Sequence, residues 1–120
     1  MNNNLRSLIV NSPFERPTHH WRRVSDQRLE LVEGRRPAGY EIFDTRNNTV
    51  RSVELELVNR IRERVDEWRD AGYPGVTAVT RALLEHWRDP EANRPYPFYF
   101  CQLEAIETLI WHVEAPAEFK

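Results

Sequence analysis

The sequence is poor in the residues that build disulfides, thiolate metal sites and phosphate loops. Its 120 residues include a single cysteine, Cys101, and only four glycines. One cysteine forms no internal disulfide and no thiolate cage, which suits a reducing compartment. The glycines, at positions 34, 39, 72 and 75, do not form the loop ending in Gly-Lys-Ser/Thr that cradles phosphates. We therefore expect no ATP hydrolysis by this chain alone.

Long apolar runs are missing as well. No run approaches the roughly 20 residues that a membrane-spanning helix needs, and the first residues lack the apolar core of a secretory signal. We therefore expect a cytoplasmic protein with no membrane partner. Apolar residues make up 40% and aromatic residues 11% of the chain, which is enough for one domain, or part of one, with a single core.

Lysine is nearly absent, since sixteen of the seventeen basic residues are arginine. Residues 1–51 hold nine arginines against six acidic residues, a formal +3, and residues 52–120 hold eight basic against thirteen acidic residues, a formal −5. The planar arginine fork suits phosphate oxygens. Arg35 and Arg36, in a loop bounded by glycines, are candidate contacts to a nucleic-acid backbone. Solvated or salt-bridged surface arginine is the alternative for this pair.

The hydrophobic pattern predicts a small α+β fold that is mainly helical. Residues 11–23 contain prolines and no periodicity, which indicates an extended N-terminal arm anchored by Phe14 and Trp21. Alternation over residues 29–33 and 40–44 predicts a short β-hairpin, and Asn47-Asn48 favours a turn. Residues 1–51 thus form the arm and short strands, and residues 52–120 form a three-helix region, as a single domain or a fragment.

Three helices follow from the 3.6-residue period, a helical hairpin at about 52–71 and 77–88 and a third helix at about 99–114. Ser52 is the expected N-cap of the first helix, and Gly72-Tyr73-Pro74-Gly75 is the turn that closes it. The apolar residues expected to face the core are Leu57, Val58, Ile61, Val65, Trp68, Val79, Leu83, Trp87, Leu103, Ile106, Leu109, Ile110 and Val113.

The start of the third helix carries the strongest chemical signal. Phe98, Tyr99 and Phe100 come directly before Gln102 in its first turn. A planar amide can donate to and accept from one edge of adenine while an aromatic face stacks on the base. The alternative is a glutamine that caps the helix beside aromatics that belong to the core.

No catalytic constellation or metal site is predicted. Glu104 and Glu107 are close on the third helix, but their spacing is too common to indicate an acid–base pair. His19 and His20 are adjacent, so they point in different directions, and no further ligands are spaced to complete a metal shell.

Four blocks of the sequence form an ordered set that extends over nearly the whole chain. They are Asn11-Ser12-Pro13-Phe14-Glu15-x-Pro17-Thr18-x-His20-Trp21-Arg22, Val32-Glu33-Gly34-Arg35-Arg36-Pro37, Ile61-Arg62-x-Arg64-Val65-x-x-Trp68-Arg69, and Phe100-Cys101-Gln102-x-Glu104-Ala105-Ile106-Glu107-Thr108-Leu109-Ile110-Trp111. Taken in order, these blocks resemble the N-terminal region of type III restriction enzyme Res-subunit-like proteins, which are superfamily 2 helicases of the DEAD/DEAH type.

The resemblance implies a role in nucleotide and DNA binding within a restriction-modification helicase. In that family the Phe-Cys-Gln-x-Glu-Ala block looks like the adenine-reading Q motif that leads into the first RecA-like motor lobe. It implies Gln102 as the adenine contact and Phe98, Tyr99 or Phe100 as stacking neighbours. ATP with magnesium is then the cofactor of the intact parent, and none is expected to bind tightly to this chain. The implied partners are DNA, with backbone contacts through Arg22, Arg23, Arg35 and Arg36, and the remainder of the motor domain or a partner subunit. The alternative is a free-standing protein-interaction module with no nucleotide role.

Overall fold

The chain forms two compact units, residues 1–36 and residues 37–120. The computed structural model describes residues 8–25, 28–89, 91 and 95–120, so the first residues, on which the secretory-signal prediction depends, lie outside the described part. Within that part there are two antiparallel β-hairpins and three α-helices. The predicted α+β class is confirmed.

The first unit is built on a hairpin of β1 (His19–Ser25) and β2 (Arg28–Glu33). The strands are antiparallel, with His19 opposite Glu33 at one end and Ser25 opposite Arg28 at the other. Part of the predicted arm is therefore a strand. The sequence pattern missed this strand because apolar and polar residues do not alternate along β1, whose described residues are exposed or half-exposed.

The second unit begins with β3 (Gly39–Asp44) and β4 (Thr49–Glu54), which pair antiparallel. The turn predicted at Asn47-Asn48 joins them, and Asn48 has a positive φ of 52°. The Asp44 carboxylate accepts hydrogen bonds from the backbone N–H of Arg46, at 2.9 Å, and the side chain of Asn47, at 2.9 Å. Residues 40–44 thus pair with the strand that follows them rather than with residues 29–33, which pair with β1.

Three helices follow, α1 (Glu56–Asp70), α2 (Ala78–Arg88) and α3 (Phe100–Glu114), and then a short 3-10 helix, Ala117–Phe119. The helix predicted from residue 52 begins at Glu56, because Ser52 belongs to β4 and Leu55 is the N-cap. Thr77 caps α2 by accepting a hydrogen bond from the Thr80 N–H at 3.2 Å. No helix of the described part is long and apolar enough to cross a membrane.

The core of the second unit lies between the three helices. Its buried apolar residues are Val65, Trp68, Tyr73, Leu84, Trp111 and Ala115. Ile61, Val76, Trp87, Ile110 and Phe119 pack against them. Six residues predicted to face the core are exposed instead: Leu57 (68%), Val58 (39%), Val79 (71%), Leu83 (44%), Leu109 (66%) and Val113 (70%). In α3 the apolar residues extend over more than half of the helix surface, so the period alone does not determine which face is covered.

The turn between α1 and α2 offers a matched pair of glycine substitutions. Gly72 and Gly75 both have left-handed φ angles, 84° and 85°. A Cβ on Gly72 would meet no atom within 4 Å, whereas one on Gly75 would lie 2.8 Å from Pro116 Cδ and 3.0 Å from the Glu114 carbonyl oxygen. We expect Gly72→Ala to cost about 1–2 kcal/mol of left-handed strain. Gly75→Ala should cost clearly more, as measured by urea unfolding. Equal losses would contradict the packing of this turn against the end of α3.

Candidate functional site

The predicted adenine-reading residues lie at the first turn of α3. Tyr99 is the N-cap residue, with an extended backbone. The Gln102 side chain caps the helix, because its Oε1 accepts a hydrogen bond from the Tyr99 N–H at 3.0 Å. Both side chains are exposed, Tyr99 by 50%. The capping bond therefore holds the Gln102 amide in one orientation at the surface.

The two phenylalanines of this segment are half-buried and pack inward. Phe98 meets Trp87 of α2 edge to face, with ring centroids 5.8 Å apart and planes at 74°. The Arg69 guanidinium of α1 lies 5.8 Å from the centre of the Phe100 ring. These contacts tie the start of α3 to the other two helices, so Tyr99 is the aromatic neighbour of Gln102 that keeps most surface for a ligand.

Arg69 and Glu107 form a buried ion pair beneath this segment. Arg69 Nε and Nη2 each donate to a different carboxylate oxygen of Glu107, both at 2.9 Å. Glu107 is fully buried and Arg69 is 6% exposed. Such a two-point bond between a planar fork and a carboxylate is among the stronger side-chain interactions. It links α1 directly to α3.

Three further side chains, the half-buried Asp66, the buried Tyr73 and the exposed Arg88, extend this buried pair into a cluster. Arg69 Nη1 donates to Asp66 of the same helix, and the Tyr73 hydroxyl donates to Glu107. Arg88 of α2 donates to the Tyr73 hydroxyl at 3.1 Å. Among the described residues no buried side-chain nitrogen or oxygen lacks a hydrogen-bond partner. Every charge in the cluster therefore has a partner of opposite sign or a hydroxyl.

The cluster shifts the titration of two of its members. Burial disfavours the charged form of Arg69, but its hydrogen bonds and attraction to Glu107 and Asp66 outweigh that effect and raise its pKa. Burial raises the pKa of Tyr73, and the bond it donates to Glu107 raises it further, although Arg88 opposes the change. Arg69 stays charged and Tyr73 stays neutral, which is the arrangement that this network of donors requires.

The four arginines predicted as DNA contacts belong to the first unit, whereas Gln102 belongs to the second. Arg22 lies opposite Glu30 in the hairpin and forms an exposed ion pair with it at 2.9 Å. Arg23 is exposed on the same strand. Arg35 and Arg36 follow β2 and line a cavity together with Trp21. The structure thus brings Arg35 and Arg36 together at this cavity and places Arg22 and Arg23 on β1.

Sequence reasoning missed the buried cluster. The sequence pattern singles out Glu107 only for its spacing from Glu104 and gives Arg69 no role in a site. The available signal was the position of Arg69 directly after Trp68, at the edge of the apolar face, and of Glu107 between Ile106 and Ile110 on α3. A charge on an apolar face predicts a buried partner of opposite sign.

Comparison with known proteins found no family model, no curated protein and no solved structure that matches this chain. The likeness to restriction-type helicases therefore stays a prediction from the sequence.

Removing the charge of Glu107 should be strongly destabilising. Glu107→Gln keeps the shape but leaves the buried Arg69 charge with Asp66 alone, and breaking a buried pair from one side costs about 3–5 kcal/mol. Glu67→Gln is the control, because the exposed Glu67–Arg64 pair is worth less than about 1 kcal/mol. Urea unfolding measures both, and similar losses would contradict a buried role for Glu107.

Tyr73 should make the fold sensitive to alkali. Because the folded-state pKa of Tyr73 is raised, the native chain keeps a proton that the unfolded chain releases above about pH 10. The free energy of unfolding therefore falls as the pH rises beyond that point. Tyr73→Phe should flatten this decline, whereas Tyr96→Phe, at a residue that is 88% exposed, should leave it unchanged. Urea unfolding of the unmodified chain, Tyr73→Phe and Tyr96→Phe across this pH range measures the effect. Identical slopes of unfolding free energy against pH for all three proteins would show that Tyr73 is not its source.

Proposed function

We propose that this chain is an N-terminal accessory region of an ATP-dependent DNA translocase of a restriction system. In this proposal the first turn of α3 reads the adenine of ATP, arginines of the first unit contact DNA, and the chain has no ATPase activity of its own. The four sequence blocks in family order support the assignment. The observation that carries it is the exposed, oriented amide of Gln102 beside the half-exposed ring of Tyr99.

The capping bond of Gln102 is compatible with base reading. A side-chain amide has an oxygen with two lone pairs and a nitrogen with two hydrogens. One lone pair accepts from the Tyr99 N–H, so a second lone pair and the nitrogen are the groups for adenine N6 and N7. Helix capping and base reading, which are alternatives on sequence grounds, are thus two uses of one oriented side chain.

The outer face of α3 supports a partner next to Gln102. Gln102, Leu109 and Val113 lie on one side of the helix by their spacing, opposite the buried Glu107 and Trp111. Leu109 is 66% and Val113 is 70% exposed. An apolar stripe that continues from the base-reading residue suits packing against the remainder of a motor domain, or a partner subunit, that would also supply the phosphate site.

The residues present fit only part of an ATP–magnesium cofactor. Gln102 and Tyr99 suit the adenine ring. The sequence has no phosphate-binding loop for the triphosphate. Phosphates and magnesium would be held by the rest of the motor, where the cofactor supplies the energy of translocation. A cytoplasmic location stays a prediction from the single cysteine and from the N-terminal sequence.

A second candidate function uses the same helix face. The exposed Leu109 and Val113 also suit a free-standing module that binds another protein and no nucleotide. The reading frame beyond Lys120 separates the two: a phosphate-binding loop within a few tens of residues favours the translocase, and a true stop favours the module.

The adenine role can be tested on this chain with adenosine and guanosine. Adenosine should shift the backbone amide signals of residues 99–102 in nuclear magnetic resonance spectra, with a millimolar or weaker dissociation constant. Stacking and one amide contact contribute only about 1–3 kcal/mol each, against about 4 kcal/mol for a millimolar complex. Guanosine should give smaller shifts. Micromolar ATP binding measured by calorimetry would contradict the proposal.

Gln102→Glu is the informative variant for this test. A glutamate at the same position still caps the Tyr99 N–H, so helix stability should be retained, but a carboxylate cannot donate to adenine N7. The preference for adenosine over guanosine should therefore disappear while the unfolding curve stays the same. Gln102→Ala should lose both the preference and the cap. An unchanged preference in Gln102→Glu would leave capping as the whole role of Gln102.

A further inference from the structure

The first unit contains a cavity of about 390 Å³ beside the start of β1. Small-molecule sites in proteins span roughly 300–1,000 Å³, so this volume suits one small ligand. Three stretches line it, residues 8–11, residue 17 with residues 19–21, and residues 35–36. All of them lie within the first unit, so the cavity is independent of the helical core and of Gln102.

One wall of the cavity is held by hydrogen bonds to the segment before the hairpin. The Asn11 Nδ2 donates to the His19 carbonyl oxygen at 2.8 Å, and Asn11 Oδ1 accepts from the Thr18 N–H at 3.0 Å. The Trp21 indole N–H donates to the Leu8 carbonyl oxygen at 2.8 Å. These bonds fix residues 8–11 alongside β1 and set the plane of the Trp21 ring.

The opposite wall is held at Gly34. Its N–H donates to the Thr18 carbonyl oxygen at 2.6 Å, and its own carbonyl oxygen accepts from His20 Nδ1 at 2.8 Å. The chain leaves β2 at this point, and the next two residues are Arg35 and Arg36. The cavity is therefore framed by main-chain bonds on both sides before any ligand enters.

The chemistry of the lining favours an anion with an aromatic part. Arg35 and Arg36 contribute two guanidinium groups, and none of the described residues that line the cavity carries a carboxylate. A guanidinium has five N–H donors, so it can bind a phosphate oxygen and keep another contact. The unit as a whole has seven arginines against four acidic residues, a formal +3. Ile9, Pro17 and the Trp21 ring supply the apolar surface.

We propose that this cavity binds one nucleotide unit, with the base against Trp21 and the phosphate at Arg35 and Arg36. The unit can be a free mononucleotide or a nucleotide of a single strand, which present the same chemistry. The inference rests on the proposed DNA-contacting role of the chain, but it uses none of the residues that read adenine. A phosphorylated peptide fits less well, because it would engage the arginines and leave the Trp21 face without a stacking partner.

Thymidine ligands test this proposal separately from the adenine role, since thymine does not present the N6 and N7 edge that Gln102 would read. The 120-residue chain, labelled with nitrogen-15, is titrated with thymidine 5′-monophosphate and with a thymidylate octamer. The Trp21 indole N–H signal, identified by its loss in Trp21→Phe, should shift with saturation. Saturation by the monophosphate assigns the site to free nucleotides as well, and saturation by the octamer alone assigns it to strands.

Two ligand controls can overturn the proposal. Inorganic phosphate should not reproduce the Trp21 shift, and a phosphoserine peptide of similar charge should bind at least tenfold more weakly than the octamer. A full shift with phosphate alone, equal binding of the peptide, or no shift with either thymidine ligand would each reject a nucleotide site.

Arginine variants test the phosphate contacts. Octamer affinity is measured by fluorescence anisotropy at several salt concentrations. Arg35→Ala and Arg36→Ala should each reduce the slope of log affinity against log salt by about 0.7, the value expected per phosphate contact of a single strand. Arg28→Ala is the matched control, because this exposed arginine of the same unit does not line the cavity. An equal reduction of this slope in Arg28→Ala would show that the octamer is attracted by the overall positive charge of the unit, and would reject a specific site at Arg35 and Arg36.

Trp21 variants test the stacking contact. Trp21→Leu should weaken octamer binding by roughly five- to a hundredfold, the range expected when one stacked base is lost, whereas Trp21→Phe keeps a ring and should lose much less. Dispersed amide signals of β1 and β2 check that each variant keeps the hairpin. If Trp21→Leu unfolds the hairpin, Trp21→Phe and the arginine variants still test the site. Unchanged octamer affinity in all of these variants would reject the proposal.

Discussion

The two-point bond between Arg69 and Glu107 is the interaction on which the packing of the three helices in the second unit depends. All three guanidinium nitrogens are used, two on Glu107 and one on Asp66. Tyr73 joins the same carboxylate from the turn, and Arg88 joins Tyr73 from α2. The three helices thus meet at one polar cluster inside an apolar core. Lysine, with one nitrogen and no planar fork, could not take the place of Arg69.

This cluster also determines which way α3 faces. Burying Glu107 against α1 turns Trp111 inward and Gln102, Leu109 and Val113 outward. A rotation of α3 toward its most apolar side would remove a paired charge from its partner, which costs about 3–5 kcal/mol. Covering one aliphatic side chain gains only about 1.5–3 kcal/mol. The exposure of Gln102 therefore follows from a bond made on the opposite side of the helix.

Local signals predicted the parts of the fold that local interactions decide. The helical period predicted helices at about 77–88 and 99–114, close to the observed bounds of α2 and α3, and Gly72 in the predicted turn has a left-handed backbone. The buried faces and the strand pairing depend on partners distant in sequence, and no local pattern contains them. For the candidate site, the segment before α3 was predictable, whereas the bond from Gln102 to Tyr99 and the support of Phe100 by Arg69 were not.

The hydrogen bonds that hold the walls of the cavity in the first unit determine which of its residues can be substituted during evolution. Most of the bonds that hold it end on main-chain atoms, at Leu8, Thr18, His19 and Gly34. Among these bonds, Asn11, Trp21 and His20 contribute side chains. Leu8, Thr18 and His19 supply carbonyl or amide groups and can change identity without altering these bonds, whereas Gly34 has a left-handed φ of 99° that favours glycine. Distant relatives could then share little overall identity and still carry an asparagine, a tryptophan and a paired arginine at these spacings.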